Sequence, residues 1–272
     1  MNDIAVVILT YNEIENINYA IKNIKEWANE IIIVDSGSTD GTVEYVKEEG
    51  CKVFYRKFDD FSSQRKFALN NIEIESSWLF ILDADEYLTD ELKEEITKEL
   101  VNPQFDGYMI KRRFYWMGIW IKRGYYPTKL LRFGRKGLID CDDRLINEHM
   151  ICKTSKVGSF KFDFIDENRK GLTDWISKHN NYSTREADAL LVEDNAKYRF
   201  FGSQYERKRW IRTNIWNKSP VFLRPLVYFF YRVIIKLGFL DGPKAILYHF
   251  LHAFIYRCLI DAKFLEKKWK RK

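Results

Sequence analysis

Three short polar runs hold the side chains best suited to chemistry: Thr10-Tyr11-Asn12-Glu13, Asp35-Ser36-Gly37-Ser38-Thr39-Asp40-Gly41 and Asp83-Ala84-Asp85-Glu86. The third is the sharpest. Two carboxylates one residue apart, directly after the apolar run Trp78–Leu82, point the same way if strand geometry continues. Hard oxygen ligands favour Mg²⁺ or Mn²⁺, and Mg²⁺ usually binds through one or two carboxylates plus substrate phosphates. Three acids crowded at one sheet edge also repel one another unless a cation or protons intervene. The competing reading is that these acids only enrich the approach to the next helix. That explains Asp90 and Glu91 better than Asp83, which still belongs to the strand end. A loop carrying Gly37 and Gly41 is, taken alone, a weak nucleotide signal.

The elements that must position these runs alternate regularly. Ile4–Leu9 is a continuous apolar run, as in a strand buried on both faces. Ile14, Ile17, Ala20, Ile21, Ile24 and Ala28 then recur at a helical period. Glu30–Val34 reads as a second strand, Thr42–Glu49 as a helix, Lys52–Tyr55 as a strand, Ser62–Asn71 as a helix and Trp78–Leu82 as a strand. Thr89 caps the helix that follows. This alternation implies a parallel sheet with helices on both faces. In such a sheet ligands bind beyond the carboxyl ends of the strands, and all three polar runs fall there. Beyond Tyr108–Arg113, a further strand, comes an aromatic, Arg-rich stretch to Phe133. Leu172–Asn195 reads as helical.

Composition sets outer bounds. The 272 residues are 46% hydrophobic and 31% charged, which excludes a disordered, collagen-like or disulfide-scaffold chain. Cys51, Cys141, Cys152 and Cys258 form neither a CxxC pair nor a metal-finger spacing, so reduced thiols in a cytoplasmic protein are expected. Met1-Asn2-Asp3-Ile4 is expected to enter a strand at once, not to act as a signal peptide. No apolar run approaches the roughly 18–20 residues that span a bilayer.

Charge is uneven. Residues 199–272 hold 17 Lys+Arg against 4 Asp+Glu, a net of +13, which leaves −7 on residues 1–198 and +6 overall. A basic tail can face nucleic acid or anionic lipid. Phe222, Leu226, Phe229, Phe230 and Val233 interleave with Arg224, Arg232 and Lys236, which favours lipid over nucleic acid, with helices lying in a headgroup layer. The competing expectation is a helical cap with its apolar stripe on the main domain and its basic face solvated.

Taken as a set, the three polar runs resemble those of inverting glycosyltransferases of family 2, in the family's order and approximate spacing. More narrowly, the chain is similar to the lipopolysaccharide-core β-glucosyltransferase subgroup. That likeness rests on Gln64-Arg65-Lys66-Phe67-Ala68-Leu69, Gly118-Ile119-Trp120-Ile121, Gly124-Tyr125-Tyr126-Pro127, Leu131-Arg132-Phe133, Asn147-Glu148 and Leu237-Gly238-Phe239-Leu240-Asp241-Gly242. The resemblance implies a GT-A fold: an α/β, Rossmann-like mixed, mostly parallel sheet flanked by helices, with a basic helical C-terminal extension. The expected domains are 1–198, divided into a nucleotide-sugar half (1–107) and an acceptor half (108–198), and 199–272.

The resemblance also implies site roles. A uridine diphosphate sugar would place its base by Thr10, Tyr11, Asn12, Glu13, Asp35 and Ser36, and its ribose near Asp83 and Ala84. Its diphosphate would bridge to a divalent ion, Mg²⁺ or Mn²⁺, held by Asp85. Arg65 would contact the diphosphate or be a solvated helix residue. Inverting transfer needs a carboxylate to take the acceptor hydroxyl's proton; Glu148, Asp142 and Asp143 are candidates, and the subgroup pattern selects Glu148. Two positions depart from that pattern: Asn147 and Lys161 stand where the subgroup often has histidines, so the metal would rest on Asp85 and phosphate alone or take His149 as a substitute ligand. The aromatics and arginines from Arg112 to Tyr126 would form a wall for a charged glycan or glycolipid acceptor. The expected location is the inner face of the cytoplasmic membrane.

Two rival readings differ in testable ways. A sugar-phosphate nucleotidyltransferase should carry a Gly-rich, Arg-bearing loop directly after the first strand, where Thr10-Tyr11-Asn12-Glu13 stands instead. A degenerate carbohydrate- or membrane-binding protein would have no need to retain Asp35, Asp83, Asp85 and a candidate base.

Overall fold

The computed structural model describes residues 2–142, 150–191, 201, 207 and 210–270. It divides into two compact units, Met1–Lys170 and Gly171–Lys272. The helix read from Leu172–Asn195 therefore groups with the C-terminal unit, whereas the sequence division falls at 198.

The first unit is built on β1 (Asn2–Thr10), α1 (Ile14–Ile24), β2 (Ala28–Asp35), α2 (Thr42–Glu48), β3 (Lys52–Tyr55), α3 (Phe61–Asn71) and β4 (Trp78–Asp83). There follow β5 (Glu86–Leu88), α4 (Asp90–Glu99), β6 (Gly107–Trp116), β7 (Ile119–Trp120), β8 (Thr128–Arg135), β9 (Ile139–Cys141), β10 (Met150–Cys152) and β11 (Val157–Asp166). The main sheet runs β3-β2-β1-β4-β8-β6-β11-β5, with β7 on β6 and a separate β9–β10 pair. The strands β3, β2, β1 and β4 are parallel, β8 is antiparallel to both its neighbours, and β11 is parallel to β6.

The continuous apolar run of β1 has its cause in two cores. Ile4, Val6 and Ile8 join Ile17, Ile21 and Ile24 of α1 on one face. Ala5 and Val7 face the other side with Ala68 of α3. A strand buried on both faces cannot alternate polar and apolar residues. Helix α1 stops at Ile24, although the apolar period continues to Ala28, because Ala28 is drawn into β2 opposite Asn2. Thr89 caps α4 as expected, its Oγ1 accepting the Leu92 N–H at 3.3 Å. Asp60 caps α3 by accepting from the Ser63 N–H at 2.8 Å.

The second unit holds α5 (Gly171–Leu191), a π-turn at Arg212–Trp216, α6 (Leu223–Phe230) running into a π-turn at Tyr231–Ile235, and a 3₁₀ turn at Gly238–Asp241. Then come α7 (Pro243–His249), a π-turn at Phe250–Ile255 and α8 (Tyr256–Lys270). Helices α5 and α8 are joined by Tyr256 Oη donating to Glu186 at 3.0 Å and Lys263 Nζ donating to the Asn180 carbonyl at 2.6 Å. No helix among the described residues is long and apolar enough to cross a membrane.

One sequence expectation is corrected here. Arg224 and Arg232 are not a solvated basic face: they are 4% and 1% exposed. Arg224 Nε donates to Asp261 at 2.9 Å, and Arg232 donates to His252 Nδ1 at 3.0 Å. A buried arginine needs such partners, because an unpaired internal charge is far costlier than a paired one.

Candidate active site

Strand register assembles the site. Thr10 lies opposite Asp35, and Leu9 opposite Asp83, so the ends of β2, β1 and β4 stop side by side. The three polar runs are thereby brought to one edge of the sheet.

Asp35 organises the first two. Its Oδ1 accepts from the Gly37 and Ser38 amides at 2.8 Å, and its Oδ2 from Thr10 Oγ1 at 2.8 Å and Ser38 Oγ at 2.5 Å. Asn12, at φ +54°, gives its amide to Ser38 Oγ and accepts the Thr39 amide on Oδ1, both at 2.8 Å. Gly37 and Gly41 have φ of +95° and +92°, a region where a side chain strains the backbone. Ser36 accepts from Gln64 of α3 at 2.9 Å, and Glu13 pairs with Lys170 at 2.8 Å. Tyr11 is left 59% exposed beside this loop. A hollow of about 290 Å³ alongside it is lined by Asp35, Ser38, Lys47, Val53 and Tyr55. A larger one, about 470 Å³ and lined by Asn2, Trp27 and Lys93, lies at the other end of β1, away from this chemistry.

The Asp83–Glu86 run is neutralised from within. Asp83 Oδ1 meets Arg65 at 3.0 Å and Oδ2 meets Arg132 at 2.7 Å. Arg132 also reaches Glu86 Oε1 at 2.6 Å, while Glu86 Oε2 accepts the Asp83 amide at 2.8 Å. Burial alone would raise the Asp83 carboxyl, but the Arg132 and Arg65 guanidiniums outweigh it and hold it well below the usual range. Glu86, 2% exposed, is pushed the other way: burial raises it, Arg132 opposes, and the neighbouring carboxylates of Asp83, Asp166 and Asp85 raise it further. The repulsion expected from the sequence is thus relieved by two arginines, Arg65 and Arg132. Arg65 is 8% exposed, so it is not a solvated helix residue.

Asp85 lies on the turn that follows Asp83. The chain turns between β4 and β5, and Asp85 Oδ2 accepts from Asn168 at 3.3 Å while its carbonyl accepts the Glu167 amide at 2.9 Å. The fit to a divalent cation is of one kind. Among the described residues no group of three His, Cys, Asp or Glu side chains could hold a metal. Asp83 is engaged by two cations, whereas Asp85 is a partly exposed hard donor. That donor set suits an ion shared with phosphate oxygens, not a cage made by protein alone.

The aromatic, Arg-rich stretch folds onto β11. Arg113 Nε and Tyr126 Oη donate to Asp163 at 2.8 and 3.0 Å, and Lys111 lies 3.2 Å from the same carboxylate. Arg112 donates to Tyr125 Oη at 2.6 Å and pairs with Asp166 at 3.0 Å. Arg113 and Lys122 lie over the Trp120 ring at 4.9 and 5.0 Å. These side chains are internally paired, so the wall is held in a fixed shape. Glu148 and Asp143 lie outside the described residues, as do Asn147 and His149. Asp142 is described, its carbonyl accepting from Ser62 Oγ at 2.6 Å.

Sequence reasoning left two groups without a role, Arg132 and Asn168. Arg132 had a signal: it is a charge inside the otherwise apolar Leu130-Leu131-Arg132-Phe133. Asn168 had none, since only the fold carries it to Asp85.

A Rossmann-like sheet with acidic loops gathered at its carboxyl edge defines a nucleotide-binding α/β enzyme class. Within that class, the family model for glycosyl transferase family 2 matches residues 5–163, and the chain belongs to this family. The lipopolysaccharide core biosynthesis glycosyltransferase LpsC of Rhizobium meliloti is 31% identical over 209 residues, covering 71% of this chain and 73% of LpsC. An uncharacterized glycosyltransferase of Rickettsia felis is 35% identical over 109 residues, 40% of this chain; the match spans 38% of that relative's length. Among solved structures, S. aureus TarS 1–349 gives a TM-score of 0.48 at 15% identity, with all of this chain and 92% of that one covered.

Proposed function

We propose that the protein is an inverting hexosyltransferase that moves a sugar, glucose or a related hexose, from a uridine diphosphate sugar to a lipopolysaccharide core or other envelope glycolipid. The observation that carries this reading is the side-by-side ending of β2, β1 and β4, which groups Asp35, the Thr10–Glu13 loop and the Asp83–Asp85 turn. Membership of family 2 and the likeness to the lipopolysaccharide core glycosyltransferase LpsC support the substrate class.

The base would stack against the exposed face of Tyr11 and take its polar contacts from the loop that Asp35 braces. Asp83, held ionised by two arginines, accepts ribose hydroxyls. Asp85 would hold the divalent cation jointly with the diphosphate; when bound, that ion stabilises charge on the departing phosphate. Glu148 takes the proton of the acceptor hydroxyl as its oxygen bonds to the anomeric carbon and the bond from that carbon to the diphosphate oxygen breaks. The paired arginines and aromatics of β6 and the segment after it face the acceptor. The basic C-terminal region holds the protein peripherally at the anionic inner leaflet.

Calorimetric titration tests the donor part. Uridine diphosphate should bind with Mn²⁺ and about tenfold or more weakly without it. Glu148→Gln should keep that binding and lose transfer to envelope glycolipid extracts, read by mass spectrometry. Metal-independent binding would remove the cation from the scheme, and full transfer by Glu148→Gln would move the base to Asp142 or Asp143.

A further inference from the structure

The helix formed by α6 and its π-turn is inverted relative to a water-facing helix. Its arginines, Arg224 and Arg232, are buried, whereas Val227, Phe230, Ile234 and Ile235 are 58%, 48%, 52% and 69% exposed. Positions 227, 230 and 234 fall at the spacing of one helical face. The following 3₁₀ turn continues the surface, with Leu240 53% exposed. Large apolar side chains exposed together on one helical face mark an interaction site.

We infer that this face is buried in the acyl region of one leaflet of a lipid bilayer, beyond the headgroup contact that a basic tail alone would make. The inference rests on the reading above only in taking the C-terminal region as the part that meets a membrane. The segment comprises eight residues of α6 and five of the π-turn. At about 1.5 Å per residue it is shorter than the roughly 30 Å hydrocarbon core, so it enters a leaflet without crossing. Charge decides between lipid and a second copy of the chain. Residues 199–272 carry a net of +13, and Lys236 and Lys244 are exposed at either end of the 3₁₀ turn. A second copy would bring like charge to that rim; an anionic membrane brings opposite charge. The internal Arg224–Asp261 and Arg232–His252 pairs explain how the helix stays attached with its apolar face outward.

Flotation of the full chain with phosphatidylcholine vesicles, with and without phosphatidylglycerol, tests the inference. At about 0.5 M salt, where charge is screened within a few ångströms, the protein should still float with both. Val227→Asp/Ile235→Asp should lower partitioning about a hundredfold or more, from the lost burial of two branched aliphatic side chains. The same variant should keep the wild-type circular dichroism spectrum and uridine diphosphate binding. Flotation only with the anionic vesicles and abolished by salt would overturn the inference and leave headgroup contact alone. A lipid-free dimer in light scattering that the double variant dissociates would assign the face to a second copy instead. Loss of nucleotide binding by the wild type would sink the transferase reading and leave the flotation result intact.

Discussion

Asp83 and Asp85 are separated by one residue yet meet different surroundings. Asp83 ends β4 between Arg65 and Arg132, while Asp85 sits on the turn beside Asn168. The first is therefore a fixed, ionised acceptor, and the second a partly exposed hard oxygen donor. Asp85→Ala should cut transfer by about a hundredfold or more, as loss of transition-state charge stabilisation does. Its thermal melt should stay within about 0.5 kcal/mol of wild type, the usual range for a surface change. Equal turnover in this variant would show that Asp85 does not hold the metal. Asp35 differs from both, since its two oxygens are satisfied by its own loop and by Thr10. It braces the loop after β2 by holding Ser38 and Gly37 in place.

The network around Asp83 belongs to the scale of elements, because α3 supplies Arg65, β8 supplies Arg132, and β4 and β5 supply the acids. Strand β8 inserts antiparallel beside β4, which is how a residue 49 positions away reaches Asp83. Arg132→Met removes one cation and leaves Glu86 buried among carboxylates. Loss of one partner from a buried pair costs about 3–5 kcal/mol, and the partial exposure of Asp83 places the expected value near about 3 kcal/mol. The urea midpoint, followed by tryptophan fluorescence, reads this directly. A shift below about 1 kcal/mol would mean that the network contributes shape but little stability. From β1 to β4 the order of strands and helices was legible from apolar periodicity, and α4 from its cap, since Ile4–Leu9, Lys52–Tyr55 and Thr89 all sit where their residue types require. The insertion of β8 was not legible, because no local pattern specifies which edge a later strand joins.

At the scale of the whole molecule, opposite charge on the two parts of the chain accompanies different interiors. The first unit encloses two hydrophobic cores, the larger holding Phe80, Phe133 and Phe164 beside its aliphatic residues. The second encloses Arg224, Arg232, His249 and Asp261. Its histidines make it acid-sensitive. Burial pushes His179 down to about 4, and burial together with Arg232 and Arg257 lowers His252 well below its ordinary value. The geometry at His252 agrees: an arginine can only donate, so His252 Nδ1 accepts and carries no proton. Both rings are neutral in the fold and take up protons when it opens. Stability is therefore complete above the unfolded value near 6.5 and declines as pH falls toward 4. At pH 5 the loss should be about 1–2 kcal/mol from His179, and His179→Gln should flatten the pH profile of the melting temperature between pH 5 and 7. An unchanged profile in that variant would mean that His179 titrates alike in both states.

The sequence by itself determined the main strands and helices from β1 to β4, α4, the start of β6 and most of α5, that three polar loops share the carboxyl edge of the sheet, and the family to which those loops belong. Each of these is written in short-range periodicity and in motifs a few residues long. Tertiary structure alone decided which cations answer Asp83 and Glu86, that Asn168 accompanies Asp85, and that Arg224 and Arg232 point inward. Those outcomes depend on which distant side chains burial brings together, and on the high cost of leaving a charge inside without a partner.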